Sequence, residues 1–278
     1  MSTSRPALDF DKLRGRRLFI ATPCYGNQLH VGYHQSICQL LTLCLTRQIR
    51  LGIKHVGCDS LVPRARNRLV AHFFDSDCSD LLFIDSDISF TPEDALSLLA
   101  LEEGVVGGVY PRKQLDWVRI SRAARAGIQP DQLPHYGYVP VMNWQQAGDY
   151  DLDSLMEVRH LGTGFLRIRR EVFETMIAKL GEAITFDYAQ EEVSWASRTG
   201  YDFFPIGPDI RYPLGSGGRQ YLSEDWGFSE LARQCGYKLY AAPWIRLTHS
   251  GAMDYSGSLE VMDYGVEELL QSTEMSQP

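Results

Sequence analysis

Leu81-Leu82-Phe83-Ile84-Asp85-Ser86-Asp87 is the stretch on which the reading of this chain turns. Four consecutive apolar residues are too few for a helix and suit a strand buried on both faces. The strand runs straight into two carboxylates one residue apart. In an open α/β sheet, ligands collect beyond the carboxyl ends of the strands, so this pair falls where a cleft is expected. Two like charges held so close in a partly dry site repel unless a cation lies between them, and oxygen ligands suit a hard ion such as Mg²⁺ or Mn²⁺. The same ion would bridge a diphosphate. Asp75-Ser76-Asp77 is an internal control, because the same tripeptide follows a helix and precedes a strand. It sits at the wrong end of the strand. The plainer reading of Asp85 and Asp87 is a solvated turn with one Asp capping the next element, and the strand before them weighs against it.

Outward from this strand, apolar runs alternate with helical spacing. Arg17 to Ala21 reads as a first strand ended by Thr22-Pro23, Val31 to Gln48 as a helix, and Ile53 to Cys58 as a second strand. Arg64 to Phe74 is helical, with Leu69, Val70 and Phe73 on one side and Arg66 and Arg68 assigned to a solvated face. Thr91, Pro92 and Asp94 mark a helix start of the capping-box kind, and Val105 to Tyr110 is another strand. The fold class expected is α/β, a mostly parallel sheet with helices on both faces. Between Arg112 and Asp153 no steady period survives, as in an excursion that could carry substrate specificity. Order returns at Val158 to Ile168, then a helix from Arg170 to Leu180 closes at Gly181. Tyr201 to Ile206 reads as a strand and Gly215 to Gly218 as a mobile loop. Ser223 caps a helix ended by Gly236, and short strands at Lys238 to Ala242 and Ile245 to Thr248 lead to His249.

The chain has 278 residues, 44% of them apolar, enough for one large core, and one elaborated domain is expected, with 16–111 and 112–252 as its halves and 253–278 as a peripheral acidic tail. Its charge is −8, with 27 Lys+Arg against 35 Asp+Glu, which argues against broad capture of a nucleic-acid backbone. Six cysteines are scattered without a CxxC pair, as in a reducing cytosol. No apolar run reaches the roughly 20 residues of a bilayer span. The start lacks the basic and apolar regions of a secretory signal, so a cytoplasmic location is expected.

In order, LFIATPCYG, LVPRARNRLV, LLFIDSDI, VVGGVYPRK, LGTGFLRIRREVF and YLSEDWGFSELARQCGYKLYAAPWIRLTHSG resemble the segments of GT-A-fold glycosyltransferases with a DxD motif. The likeness is to small viral and bacterial enzymes related to the chlorella-virus glycosyltransferase domain, and it covers about Leu18 to Gly251. It implies a Rossmann-like sheet with a smaller antiparallel sheet on the acceptor side, the residues to 111 forming the nucleotide-binding half and 112–252 the acceptor and catalytic half. It also implies a nucleoside-diphosphate sugar as donor, UDP-linked for preference, and a carbohydrate or other hydroxyl acceptor.

Residue by residue, the resemblance makes Asp87 a direct ligand of Mn²⁺ or Mg²⁺, Asp85 a group reaching metal or ribose, and His249 the ligand that completes the site. Neutral imidazole accepts Mn²⁺ well. Pro23, Cys24 and Tyr25 match the loop that cradles the base, where Tyr25 can lie against a ring face. Arg64 matches a position reaching the nucleotide, Asp59 one that accepts hydrogen bonds from base or ribose, and Gly164 one that lets the sugar approach backbone. Asp225, with Glu224 second, matches the acid that takes the acceptor proton. Closure of Gly215 to Gly218 over the donor would exclude water.

Two other readings carry their own requirements. A sugar-phosphate nucleotidyltransferase needs a glycine-rich basic loop after the first strand, whereas Thr22 to Leu29 holds one glycine and no Arg or Lys. A non-catalytic nucleotide-sugar-binding protein has no need of the acids at Asp225 and Glu224. A nucleic-acid acceptor is disfavoured by charge.

Overall fold

Alternation along the central strand puts Leu81 and Phe83 in one hydrophobic core and Leu82 and Ile84 in another, and all four are fully buried. A strand covered on both faces needs helices on both, and the computed structural model supplies them. It describes residues 7–145, 151–188, 199–214 and 218–252, and of 209–214 and 218–219 the backbone alone. The first half runs β1 (Arg17–Cys24), α1 (Val31–Thr46), β2 (Arg50–Gly57), α2 (Val62–Phe74), β3 (Asp80–Ile84), β4 (Ile88–Ser89), α3 (Pro92–Leu99) and β5 (Val105–Gly107). Next come α4 (Trp117–Arg125), α5 (Leu133–Tyr136), β6 (Met142–Trp144), β7 (Met156–Leu161), β8 (Phe165–Arg169) and α6 (Arg170–Leu180). The remainder is β9 (Thr185–Asp187), β10 (Thr199–Tyr201), β11 (Gly207–Leu214), β12 (Gly218–Leu222), α7 (Glu224–Gln234), β13 (Leu239–Ala241) and β14 (Thr248–His249).

The main sheet has the order β2-β1-β3-β8-β5-β13-β7-β6, and six of its eight strands point one way, with β7 and β8 reversed. Helices α2, α6 and α7 cover one face through Leu69, Phe73, Phe173, Met176, Phe228 and Leu231. Helices α1 and α3 cover the other through Tyr33, Leu40, Leu96 and Leu99. Antiparallel pairing is confined to β7 and β8, β6, and the two-stranded ladders β9/β10, β11/β12 and β4/β14. No helix among the described residues is long and apolar enough to cross a membrane.

The sequence and the structure differ in several places, among them the strand read at Val105 to Tyr110, which ends at Gly107, and that read at Ile245 to Thr248, of which only Thr248 is in a strand. Strand β1 runs on through Pro23 to Cys24, because past Ala21 it pairs with β2 alone and a missing N–H costs no central ladder bond. The stretch read as one segment from Val158 to Ile168 is two strands of the same direction, interrupted at Gly162-Thr163-Gly164, where the chain changes partners from β13 to β3 and β5. Of Tyr201 to Ile206 only Tyr201 is in a strand. After it the Asn67 side chain takes over, donating to Asp202 at 2.9 Å and accepting from the Phe203 N–H at 3.0 Å. The excursion after Arg112 carries α4, α5 and β6. The mobile loop assigned to Gly215 and its neighbours, and the tail from Met253, lie outside the described residues apart from Gly218.

Helix α7 seats against the rest of the chain through Gly227, where an added Cβ would collide with the carbonyl oxygen of Pro205. Gly227→Ala is therefore expected to lower the unfolding free energy by about 1–3 kcal/mol, as overpacking does, read from urea unfolding. Unchanged stability would mean that α7 is not held so closely.

Candidate active site at the carboxyl end of the sheet

The turn after β3 is fixed from three sides by backbone. The Asp85 N–H donates to Gly164 O at 3.0 Å, Ser86 O accepts from His30 N at 2.9 Å, and Asp87 O accepts from Ser250 N at 2.9 Å. Two residues further on, β4 pairs with β14, setting His249 opposite Ile88. A histidine 162 positions later in the chain is thereby delivered to the turn, with His249 Nε2 3.3 Å from Asp87 Oδ1. Its other nitrogen, Nδ1, lies 2.8 Å from Pro111 O, an acceptor only, so Nδ1 carries a proton. Tyr110 meets the imidazole edge to face at 5.4 Å.

Nε2 of a neutral His249 then presents a lone pair to a carboxylate oxygen. That contact is repulsive unless a proton or a metal ion lies between. Asp87 Oδ1 is buried and lacks an aligned hydrogen-bond donor, while Lys113 Nζ binds Oδ2. Burial raises the Asp87 pKa, but His249 and Lys113 more than offset this and hold it down at about 2. Burial lowers the His249 pKa, yet Asp87 and the Pro111 carbonyl raise it on balance. An orphaned carboxylate oxygen facing an imidazole oriented by a backbone carbonyl fits a divalent ion. Asp85, the third member expected of this set, is engaged elsewhere in this structure. Its Oδ1 accepts from Arg66 Nη2 at 3.0 Å, and the described residues contain no group of three acids, cysteines or histidines placed to hold a metal.

Arg66 corrects the expectation of a solvated helix face, for it is only 3% exposed. Positions 66, 69, 70 and 73 share one face of α2, so the apolar spacing pointed inward all along. Its guanidinium stacks over the Phe83 ring at 5.3 Å and lies 3.9 Å from Glu224, leaving Nε and Nη1 without hydrogen bonds. Burial disfavours its charge, but Asp85, Asp225 and Glu224 raise its pKa on balance. Arg68 does reach outward, 3.6 Å from Asp59.

Asp225 and Glu224 open α7, with Ser223 at the N-cap position. Asp225 Oδ1 accepts from the hydroxyl of Thr163 and from its N–H at 3.3 Å, which ties the helix start to the break between β7 and β8. Burial, then the charge of Glu224, push the Asp225 pKa up to about 7 against the pull of Arg66 and Thr163. Behind Asp225, Trp226 stacks on His160 at 5.0 Å, and His160 Nε2 lies 2.8 Å from the buried Glu230, pinning α7 to β7. Gly164 N–H donates to the Tyr110 hydroxyl at 3.1 Å, and a Cβ at Gly162 or Gly164 would strike that ring.

The base-side residues divide. Pro23 and Cys24 end β1 beside Val56 and Gly57 of β2, and Cys24 is buried, its thiol pushed up to about 11 by burial and then by the charge of Asp85. Tyr25, by contrast, is 76% exposed at the rim. Asp59 and Arg64 are engaged with each other, Arg64 Nε lying 3.1 and 3.0 Å from the two carboxylate oxygens and Nη2 2.9 Å from one. Burial raises the Asp59 pKa, but Arg64 and the Leu61 N–H lower it overall. Sequence reasoning missed Lys113, Thr163 and Tyr110 as partners of the acids. Lys113 carries no periodic signal at all, whereas Thr163 stands next to Gly164, which was already singled out.

No family model matches the chain, and neither does any curated protein. Among solved structures it is similar to A197 from STIV, at 16% identity and a TM-score of 0.43 over 85% of this chain and 86% of that one. A glycosyltransferase involved in the glycosylation of the major capsid of PBCV-1 matches at 9% identity and a TM-score of 0.31, over 60% of this chain and 68% of that one. GalNAc-T7 with UDP, GalNAc and Mn²⁺ matches at 9% identity and a TM-score of 0.44, over 84% of this chain but 44% of that one.

Removing the buried guanidinium would leave Asp85, Glu224 and Asp225 to repel one another. Arg66→Met is expected to cost about 3–5 kcal/mol at pH 8, as the loss of one partner from a buried charge cluster does. The loss should be smaller at pH 5, below the raised pKa of Asp225, where that acid is protonated and needs no partner. Urea unfolding at the two pH values checks this, and an equal loss at both would contradict it.

Proposed function

We propose that this chain is a metal-dependent glycosyltransferase that moves a sugar from a nucleoside-diphosphate sugar, UDP-linked, to a hydroxyl acceptor. The observation that carries this reading is the convergence of Asp87 and His249, 3.3 Å apart, at the end of a buried strand, with the raised acid Asp225 in the charge cluster around Asp85 on the same turn. Asp87 and His249 would hold Mn²⁺ or Mg²⁺, with the donor diphosphate completing its coordination. When bound, the ion supplies compensation for the negative charge that builds on the departing diphosphate. Lys113, now on Asp87 Oδ2, would supply a further positive charge beside the departing diphosphate.

The chain's own residues do the rest. Arg66 holds Asp85 in one orientation, leaving its other oxygen near Gly164, where it would be free to meet metal or ribose. Pro23 and Cys24 shape the floor for the base, and Tyr25 closes on it from the rim. Asp59 and Arg64 act as one unit, Asp59 fixing the guanidinium. Asp225 accepts the proton of the acceptor hydroxyl with Glu224 beside it, and an in-line base of this kind gives an inverted product. A pKa near 7 suits that duty, because the group is ionised often enough to act and basic enough to accept.

Two outcomes test the reading. A scan of UDP-, GDP- and dTDP-sugars with and without Mn²⁺ should raise the melting temperature for the UDP series in the presence of metal, and Asp87→Ala should abolish the rise. No rise with any of them would contradict the assignment. In turnover, kcat/KM should increase with pH through an apparent value near 7, the free-enzyme pKa of Asp225. Glu224→Gln removes the repelling neighbour and should move that limb to lower pH. A limb that stays in place would count against Asp225.

A further inference from the structure

The excursion after β5 builds a second cavity of about 780 Å³ beside the Asp87 and His249 pair, walled by the loop from Pro111, by α4 and α5, and by β14. Its lining inverts the sign of the chain. Arg112, Lys113, His135 and His249 line it, and no Asp or Glu among the described residues does. From Arg112 to Tyr136 the sequence holds five Lys or Arg against two Asp, in a chain of charge −8. The Arg112 and His135 side chains are exposed and make no hydrogen bond or ion pair among the described residues. Two rings stand among these side chains, Tyr138 and Trp117, the latter 64% exposed. An indole left in water at the mouth of a polar cavity offers a flat face to a ring-shaped ligand, and the unpaired Arg112 guanidinium on the same lining favours an anion.

We propose that this cavity is the acceptor subsite and that it takes a glycan carrying a carboxylate or phosphate. The proposal rests on the transferase reading and adds to it the chemical class of acceptor. Trp117 receives the face of a sugar ring, and Arg112 with His135 binds the anionic substituent. The cavity shares Lys113 and His249 with the Asp87 site, so a chain seated in it ends beside the reacting centre. Bringing an anion here also offsets the positive lining in a molecule otherwise acidic, which gives selectivity over neutral sugars by charge as well as by shape.

The test uses the full chain and two probes of matched size, p-nitrophenyl glucuronide and the neutral p-nitrophenyl glucoside, titrated at low salt and followed by Trp fluorescence and calorimetry. The glucuronide is expected to bind about tenfold more tightly, and Arg112→Ala and Trp117→Ala should each weaken it by about tenfold, the effect of one lost charge-assisted or stacking contact. Both variants should keep the wild-type melting-temperature rise with UDP and Mn²⁺, since neither residue belongs to the donor site. Equal affinity for the two probes, no binding of either, or indifference to both substitutions would overturn the proposal. Displacement of the glucuronide by UDP with Mn²⁺ would assign the cavity to the donor and overturn it too. Selective, variant-sensitive glucuronide binding in a protein that shows no UDP and Mn²⁺ response would uphold the anionic glycan site and sink the transferase reading alone.

Discussion

Everything at the reacting end of this molecule depends on a two-residue ladder, β4 against β14, that holds His249 to the turn carrying Asp87. Without it the imidazole would belong to a distant part of the chain, and Asp87 would be one more acid at the end of a strand. The ladder is short, and it is assisted by Ser250 N–H donating to Asp87 O and by the Pro111 carbonyl that fixes the imidazole. Backbone atoms do the positioning, so the side chains are left free for chemistry. An aligned carboxylate and imidazole with one oxygen unsatisfied is a costly arrangement in a protein without a ligand, and a cation removes the cost.

A second constraint is the crowding of acids. Asp85, Glu224 and Asp225 come from opposite ends of the chain and meet around one buried guanidinium, Arg66. One positive charge does not balance three negative ones, and the surplus adds to burial in raising the pKa of Asp225. The same crowding that makes the site unstable as a piece of structure makes Asp225 a better proton acceptor near neutral pH. The apolar face of α2 places Arg66 within this cluster, while the stack of Trp226 on His160 and the contact of Glu230 with His160 keep α7 from drifting away from it.

Most of the architecture was legible because it follows from local pattern. Alternation in Leu81 to Ile84, the capping box at Thr91 and Asp94, and the glycine stop at Gly181 each have a cause within a few residues, and each is present. The pairing of Asp87 with His249 agrees with the positions singled out in the sequence. What local pattern could not give is pairing between distant side chains. Arg66 was set on a solvated face although its spacing with Leu69, Val70 and Phe73 placed it inside, since a charged residue on an apolar stripe reads as an exception until its carboxylate partners are known. Arg64 and Asp59 were each expected at the nucleotide, and the bond that joins them across the start of α2 was not legible from either residue alone. Lys113 lies in an excursion without period, so nothing in the sequence announced it.

The central claim is that Asp87 and His249 share a divalent cation together with a diphosphate. Pulsed electron paramagnetic resonance of Mn²⁺ added to the protein with UDP tests it directly. The account predicts a bound ion whose spectrum carries both the nitrogen coupling of an imidazole and the phosphorus coupling of UDP, with the nitrogen coupling lost in His249→Ala. A bound Mn²⁺ with no imidazole coupling, or one unchanged by that substitution, would contradict it.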